Sequence, residues 1–286
     1  MRALELVKLD RLMERSRGRS DVVIGMIDGP VAIDHADLVS SSIREVPGAK
    51  GVACSVPSSV ACSHGTFVAG ILAARRGSAA PAICPGCTLL ARPIFPENNV
   101  NNGDVPGASP QELATAIHDV VEAGARVINL SAALLQPTWE GVRKLQQALD
   151  FAAIRGAITV AAAGNQSTVG GSAITQHRWV IPVIGCDLQG RPTPESNLGS
   201  SIARWGLAAP GDKIPSLGAD GESRTFSGTS AAAPFVTGAI ALLWSQVPCA
   251  SASQIKFALR QAVRRSRTIV PPLLDAWAAY ELISRN

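Results

Sequence analysis

Short apolar runs recur along the chain with helical patterns between them, and that alternation constrains the fold more than any other feature. Val22–Ile27, Thr88–Phe95, Arg126–Leu130, Ala157–Ala162 and Trp179–Gly185 each read as a strand buried on both faces. Between them, apolar residues fall at helical spacing through Phe67, Val68, Ile71 and Leu72, then through Leu113, Ile117, Val120 and Val121, and then from Trp139 to Ile154. The second pattern opens with a capping box, in which Ser109 is the N-cap, Pro110 the first helical residue and Glu112 the return acceptor. Fully apolar strands alternating with helices predict an α/β protein of three layers, with a mainly parallel central sheet covered on both faces. In such sheets the working residues gather at the carboxyl ends of the strands.

Composition narrows the class. The 286 residues include 26 Gly and 19 Pro, too few for a low-complexity chain, and 47% are apolar, enough for an extended core. Aromatic residues are scarce, with Phe 6, Trp 5 and Tyr 1, so the core is expected to rest on Ala, Val, Ile and Leu, with helices lying close to the sheet. A net charge of +4 gives no reason to expect nucleic acid, and the basic clusters Arg15–Arg19 and Arg260–Arg267 read as solvated surface. With no internal repeat or composition break, residues 21–286 are expected to form one domain, and residues 1–20 a helical extension packed on it through Leu6, Leu9 and Met13. The N-terminus has no apolar stretch of signal-peptide length, and nowhere do about 18 apolar residues run together. No membrane partner is therefore expected, and the cytoplasm is the expected compartment.

The six cysteines fit that compartment awkwardly. Cys54 and Cys62 flank a Ser/Pro/Val loop, and Cys84-Pro85-Gly86-Cys87 encloses a turn. Two local disulfides, Cys54–Cys62 and Cys84–Cys87, account for the spacing best; four reduced thiols or a four-cysteine zinc site are the alternatives. Cys186, inside an apolar run, reads as an inert core residue.

Three segments place polar residues where a buried element begins or ends. Ile27-Asp28-Gly29-Pro30 ends the first strand in a carboxylate, Ser63-His64-Gly65-Thr66 opens a helix with a histidine, and Ser227-Gly228-Thr229-Ser230 starts an apolar helix with a serine. A hydroxyl becomes a nucleophile when an imidazole takes its proton and a carboxylate holds that imidazole in one tautomer. His35, His118 and His177 lack the Gly-Thr helix start and read as surface or structural.

With these motifs, and with Ala161-Ala162-Ala163-Gly164-Asn165 between them, the chain resembles the subtilisin-like serine peptidases. The likeness spans about Val22 to Ala279 and includes Val127–Ser131, Ala208–Gly211 and Leu274–Trp277. It implies the subtilisin-like fold, with Ser230 as nucleophile, His64 as base and then acid, and Asp28 as its orienting group. The side chain of Asn165 and the backbone N–H of Ser230 would form the oxyanion hole. Ser131, Ala132, Ala133 and Leu134 would pair with substrate as an edge strand, with Ala163 and Gly164 on the facing side. Neither cofactor nor metal is implied: Ala73–Pro96, where many relatives bind calcium, has no Asp, Glu or Asn.

Asp28-Gly29-Pro30 departs from the usual Ser or Thr after the aspartate, removing a neighbouring hydroxyl and stiffening the turn. Together with Arg92-Pro93-Ile94-Phe95 beyond the cysteine turn, it is similar to the proteases that mature cyanobactins and related ribosomal peptides. That implies a precursor peptide as substrate. Ala133 and Leu134, standing where relatives have Gly-Gly, are expected to narrow the non-prime subsites. Some relatives macrocyclise under a helical lid; neither the stretch between Asp28 and His64 nor Pro96–Ser109 reads as one, so hydrolysis is expected. Only 27 residues precede Asp28, so folding without a propeptide is also expected. A macrocyclase, a peptide-binding pseudoprotease and a thiol- or metal-stapled structural protein are the competing readings.

Overall fold

A computed structural model describes residues 1–48, 53–97, 108–131, 139–264 and 267–285. Two short helices open the chain, α1 (Arg2–Leu6) and α2 (Leu9–Arg15), broken at Lys8, which takes the left-handed conformation at φ 54°. There follow β1 (Val23–Asp28), β2 (Ser42–Glu45), α3 (Val60–Ala73), β3 (Thr88–Pro93), α4 (Pro110–Glu122), β4 (Val127–Leu130), α5 (Trp139–Ile154), β5 (Ile158–Ala162) and β6 (Val180–Cys186). The C-terminal part holds α6 (Ser200–Trp205), β7 (Leu207–Pro210), the hairpin β8 (Ile214–Leu217) and β9 (Ser223–Phe226), α7 (Thr229–Gln246), α8 (Ala252–Gln261) and α9 (Ala276–Ser284).

Seven strands form one sheet in the order β2-β3-β1-β4-β5-β6-β7, and every pairing is parallel. The order reverses at β1, whose carboxyl end carries Asp28 between β3 and β4. That is the switch point at which open α/β sheets place their sites. The apolar runs from Val22, Thr88, Arg126, Ala157 and Trp179 all become strands of this sheet. The edge strands β2 and β7 and the β8–β9 hairpin were not foreseen: β2, β8 and β9 carry polar residues that break an apolar run, and β7 is a four-residue segment ending in proline.

Two apolar layers sandwich the sheet. On one side α4 and α5 bury Leu113, Ile117, Val120, Leu145 and Leu149 against Ile27, Ile128 and Ala161. On the other, α7 runs through the middle of the molecule with every residue from Ala231 to Ser245 buried. A helix apolar all round has to be enclosed by other elements, and α7 is enclosed by the sheet, α3 and the terminal helices. Ala and Gly supply much of its surface, which lets it lie close to the strands. The N-terminal segment is held by the C-terminal one: Ala276 donates its N–H to Val7 O at 3.0 Å, Lys8 Nζ meets Asp275 at 2.5 Å, and Arg15 lies over the rings of Trp277 and Tyr280.

Of the two cysteine pairs, Cys54 and Cys62 form a disulfide. Cys84 and Cys87 do not, contrary to the sequence expectation. Both are buried, and the turn is closed by backbone bonds instead, from Cys87 N to Cys84 O at 3.0 Å and from Gly86 N to Arg17 O at 2.6 Å. The thiols face each other in a hydrogen bond that, with burial, holds the Cys84 thiol protonated far above its ordinary pKa. The Cys186 thiol is pushed up to about 12 by burial, as suits an inert core residue. Among the described residues, one cluster of His, Cys, Asp and Glu has metal-ligand spacing, Cys54, Cys62 and Glu97, and its two sulfurs are already bonded to each other.

Candidate active site

Asp28 ends β1, fully buried between the two neighbouring strands, because the apolar run of β1 carries it to the carboxyl edge of the sheet. The turn beyond it nests against α3. A Cβ on Gly29 would stand 1.9 Å from Ala61 O, and one on Gly65 would stand 2.3 Å from the carbonyls of Gly29 and Pro30. Glycine at both positions therefore lets the aspartate turn and the histidine helix touch backbone to backbone. This contact sets the approach of His64 to Asp28. The helix itself starts earlier than the histidine: Ser59 is the N-cap, its hydroxyl accepting from Cys62 N at 3.1 Å, so His64 lies in the second turn. Sequence reading placed it at the helix start because the apolar period begins only at Phe67.

His64 Nδ1 stands 2.6 Å from Asp28 Oδ1, and Gly29 N donates to the same oxygen at 2.6 Å. Asp28 Oδ2 is buried without a hydrogen-bond partner among the described residues. Burial disfavours the imidazolium, but the charge of Asp28 and the hydrogen bond to it outweigh that, so the His64 pKa is raised above its ordinary 6.5. Phe226 stacks loosely on the ring at 6.5 Å between centroids, and Phe67 supports Phe226 at 4.7 Å.

Ser230 is the second residue of α7, one turn before Pro234, and follows Gly228 at φ 126°. A positive φ of this size is open to glycine and strained for other residues. His64, Asn165 and Ser230 line one cavity of about 520 Å³, whose walls are Ser58–Val60, Phe67 and Arg224–Ser227. Asn165 is fixed through its carbonyl: Oδ1 accepts from Thr229 N and Thr229 Oγ1, both at 2.9 Å, while Thr229 Oγ1 accepts from Gly164 N at 3.2 Å. With Oδ1 so engaged, Nδ2 is presented as the donor, close to Gly228 at the helix start. Asn197 braces the same loop, with Oδ1 accepting from Gln166 N and Thr168 N.

The remaining site expectations divide. Ser131 is buried, and its hydroxyl accepts from Asn129 Nδ2 at 2.9 Å, so its side chain faces the interior; Asn129 Oδ1 in turn accepts from Thr237. Ala132, Ala133 and Leu134 lie outside the described residues. Ala163 is buried, and with Gly164 at φ 103° it leads into Asn165. Thr229, Asn197 and Phe226 were missed by sequence reading; a threonine directly before the candidate nucleophile was the visible signal for the first. His35 Nδ1 accepts from Asp37 N, His118 stacks on Phe151 and His177 meets Asp150, so none of these approaches Asp28 or Ser230.

Residues 19–273 match the family model described as "Subtilase family". The chain belongs to the subtilases, a family of serine peptidases. It is 30% identical to Subtilisin DY of Bacillus licheniformis over 260 residues, 88% of this chain and 87% of that protein. Similarity to the thermophilic serine proteinase of Bacillus sp. (strain AK1) is 31% over 239 residues, covering 83% of this chain but 55% of the relative. Among solved structures, a mutant of the protease domain of PatA superposes with a TM-score of 0.84 at 28% identity over 94% of this chain and 97% of that one. The prenylagaramide maturation protease PagA gives 0.83 at 26% identity, over 96% and 98%.

Proposed function

We propose that this subtilase is a serine endopeptidase that cuts a ribosomally made precursor peptide during its maturation. In this reading Ser230 attacks the scissile carbonyl, His64 takes the hydroxyl proton and returns it to the leaving amine, and Asp28 holds His64 in the Nδ1–H tautomer. Asn165 Nδ2 and the Ser230 N–H receive the negative oxygen of the tetrahedral intermediate, aided by the positive end of α7. The observation that carries the reading is the Asp28–His64 contact of 2.6 Å at the edge of a cavity that Ser230 and Asn165 also line. A precursor peptide as substrate is supported by likeness to PatA and to PagA, the latter a maturation protease by name.

Hydrolysis is favoured over macrocyclisation. Among the described residues between Asp28 and α3 there is one short strand, β2, and no helix that could roof the acyl-enzyme. Water then reaches the ester before an amine held at the cleft. We place this work in the cytoplasm, where precursor peptides are made. Four cysteines kept as thiols support that compartment, while the Cys54–Cys62 disulfide weighs against it. No helix among the described residues is long and apolar enough to cross a membrane.

The test is labelling with a fluorophosphonate, followed by mass spectrometry of a candidate precursor after incubation. Modification of Ser230 together with linear fragments is the expected result. Absence of labelling would return the chain to a peptide-binding role, and a product lighter by one water would identify a macrocyclase.

A further inference from the structure

At the opposite end of the sheet from Asp28 lies a trough with a different chemistry. Val180 and Ile181, at the start of β6, and Leu207, at the start of β7, form its floor, and α6 and α8 form its walls. Its central cavity of about 410 Å³ runs into a second of about 480 Å³ past Arg178 and Lys256, and into a third of about 430 Å³ past Arg260. The strands are parallel, so this end is separated from the catalytic edge by the length of β6, about 20 Å at roughly 3.3 Å per residue.

The trough is cationic and apolar at once. Arg178 lies 4.8 Å and Lys256 5.2 Å from the ring of Trp179; Arg204 and Arg260 lie 4.8 Å and 5.1 Å from the ring of Trp205. Phe257 stands beside them 61% exposed, a large apolar side chain left facing water. Neither α6 nor α8 contains an acidic residue, and no Asp or Glu occurs between Ala250 and Leu274. Asp150 borders the second cavity, where it pairs with His177 at 3.4 Å. Among the described residues, Arg178, Lys256 and Arg260 have no carboxylate partner. Burial first, and Arg260 nearby, draw the Lys256 ammonium down to about 8, although its Nζ donates to Trp179 O at 3.0 Å.

We infer that this trough is a second peptide-binding site that takes a segment rich in carboxylates and interspersed with apolar side chains, belonging to the substrate but lying outside the residues held at Ser230. The inference rests on the peptidase reading for the segment's origin. Carboxylates would pair with Arg178, Lys256 and Arg260, and the apolar residues would cover Phe257 and the trough floor. A nucleic acid suits the trough less well, because each indole already carries two cations and a stacking base would have to displace one. An extended chain rises about 3.3 Å per residue, so the acidic segment would lie at least roughly ten residues from the scissile bond to pass around the sheet.

The test uses the full chain inactivated with a fluorophosphonate and a fluorescein-labelled peptide of repeated Glu-Glu-Leu triplets. Saturable binding is expected, weakened by added salt, lost for the Gln-Gln-Leu peptide and reduced about tenfold in K256E/R260E. Melting curves check that this variant folds, and K256Q/R260Q repeats the measurement if it does not. In turnover, the charge reversal should raise KM about tenfold for a substrate carrying a remote acidic segment, with kcat unchanged and a short cleft-spanning peptide cut as before. The inference is overturned if the acidic peptide does not bind, if the variants bind it as well as the parent, or if a single-stranded oligonucleotide of equal charge binds as tightly. If the short peptide is not cut by the parent enzyme, the peptidase reading fails while the binding measurement still stands.

Discussion

Asp28 Oδ1 receives both His64 Nδ1 and Gly29 N at 2.6 Å, which leaves the partner oxygen Oδ2 buried and unbonded. The carboxylate is thus committed to the imidazole through a single oxygen. Asp28→Asn puts an amide against Nδ1 and favours the wrong tautomer. Turnover of a peptide ester should fall about 10⁴-fold with little change in KM, as measured by steady-state kinetics.

The pH profile should carry the same signature. In the proposed mechanism His64 acts as base only when neutral, and its pKa is raised above 6.5 by Asp28 despite burial. Activity should therefore be lost on acidification through a value above 6.5, earlier than for an unperturbed imidazole. An acid limb in kcat/KM at or below 6.5 would contradict the Asp28–His64 pairing.

Gly29 shows why the usual hydroxyl is missing from this turn. A side chain there meets Ala61 O at 1.9 Å, so Gly29→Ser cannot add a partner for Oδ2 without pushing α3 away. The substitution should lower stability by about 2 kcal/mol or more and displace His64. A melting temperature equal to that of the parent, with higher kcat, would show that the turn yields more easily than its packing implies.

Thr229 is expected to act through Asn165. Asn165→Ala should cost about 10²–10³ in kcat. Thr229→Ala removes the hydroxyl that donates to Asn165 Oδ1 and accepts from Gly164 N, and should cost about tenfold in kcat with KM preserved. Thr229→Ser should restore most of the loss, an outcome that a purely structural role for the methyl group would not give.

Thiol counting separates the two cysteine pairs. Denatured without reductant, the chain should titrate as four thiols, those of Cys84, Cys87, Cys186 and Cys249. Reducing Cys54–Cys62, which closes a loop across a sequence separation of 8, should cost about 2–3 kcal/mol, or roughly 4 °C in melting temperature for a chain of this size. A count of two would restore the Cys84–Cys87 bond that the buried thiols argue against.

The sequence by itself determined the elements whose cause is local. The apolar runs became strands, Ser109 and Glu112 closed the capping box, and the motifs around Asp28, His64 and Ser230 carried the likeness to the subtilases. Periodicity and capping are read over a few residues, so these features need no partner to be legible. What only the tertiary structure decided depends on which surfaces meet. The two-residue spacing of Cys84 and Cys87 suits a disulfide, yet the fold holds both as buried free thiols. Arg260 reads as solvated surface until α6, α8 and the start of β6 gather it with Arg178, Lys256 and two tryptophans. Gly29 and Gly65 are far apart in the chain, and only their backbone contact explains why both positions exclude a side chain and why His64 reaches Asp28.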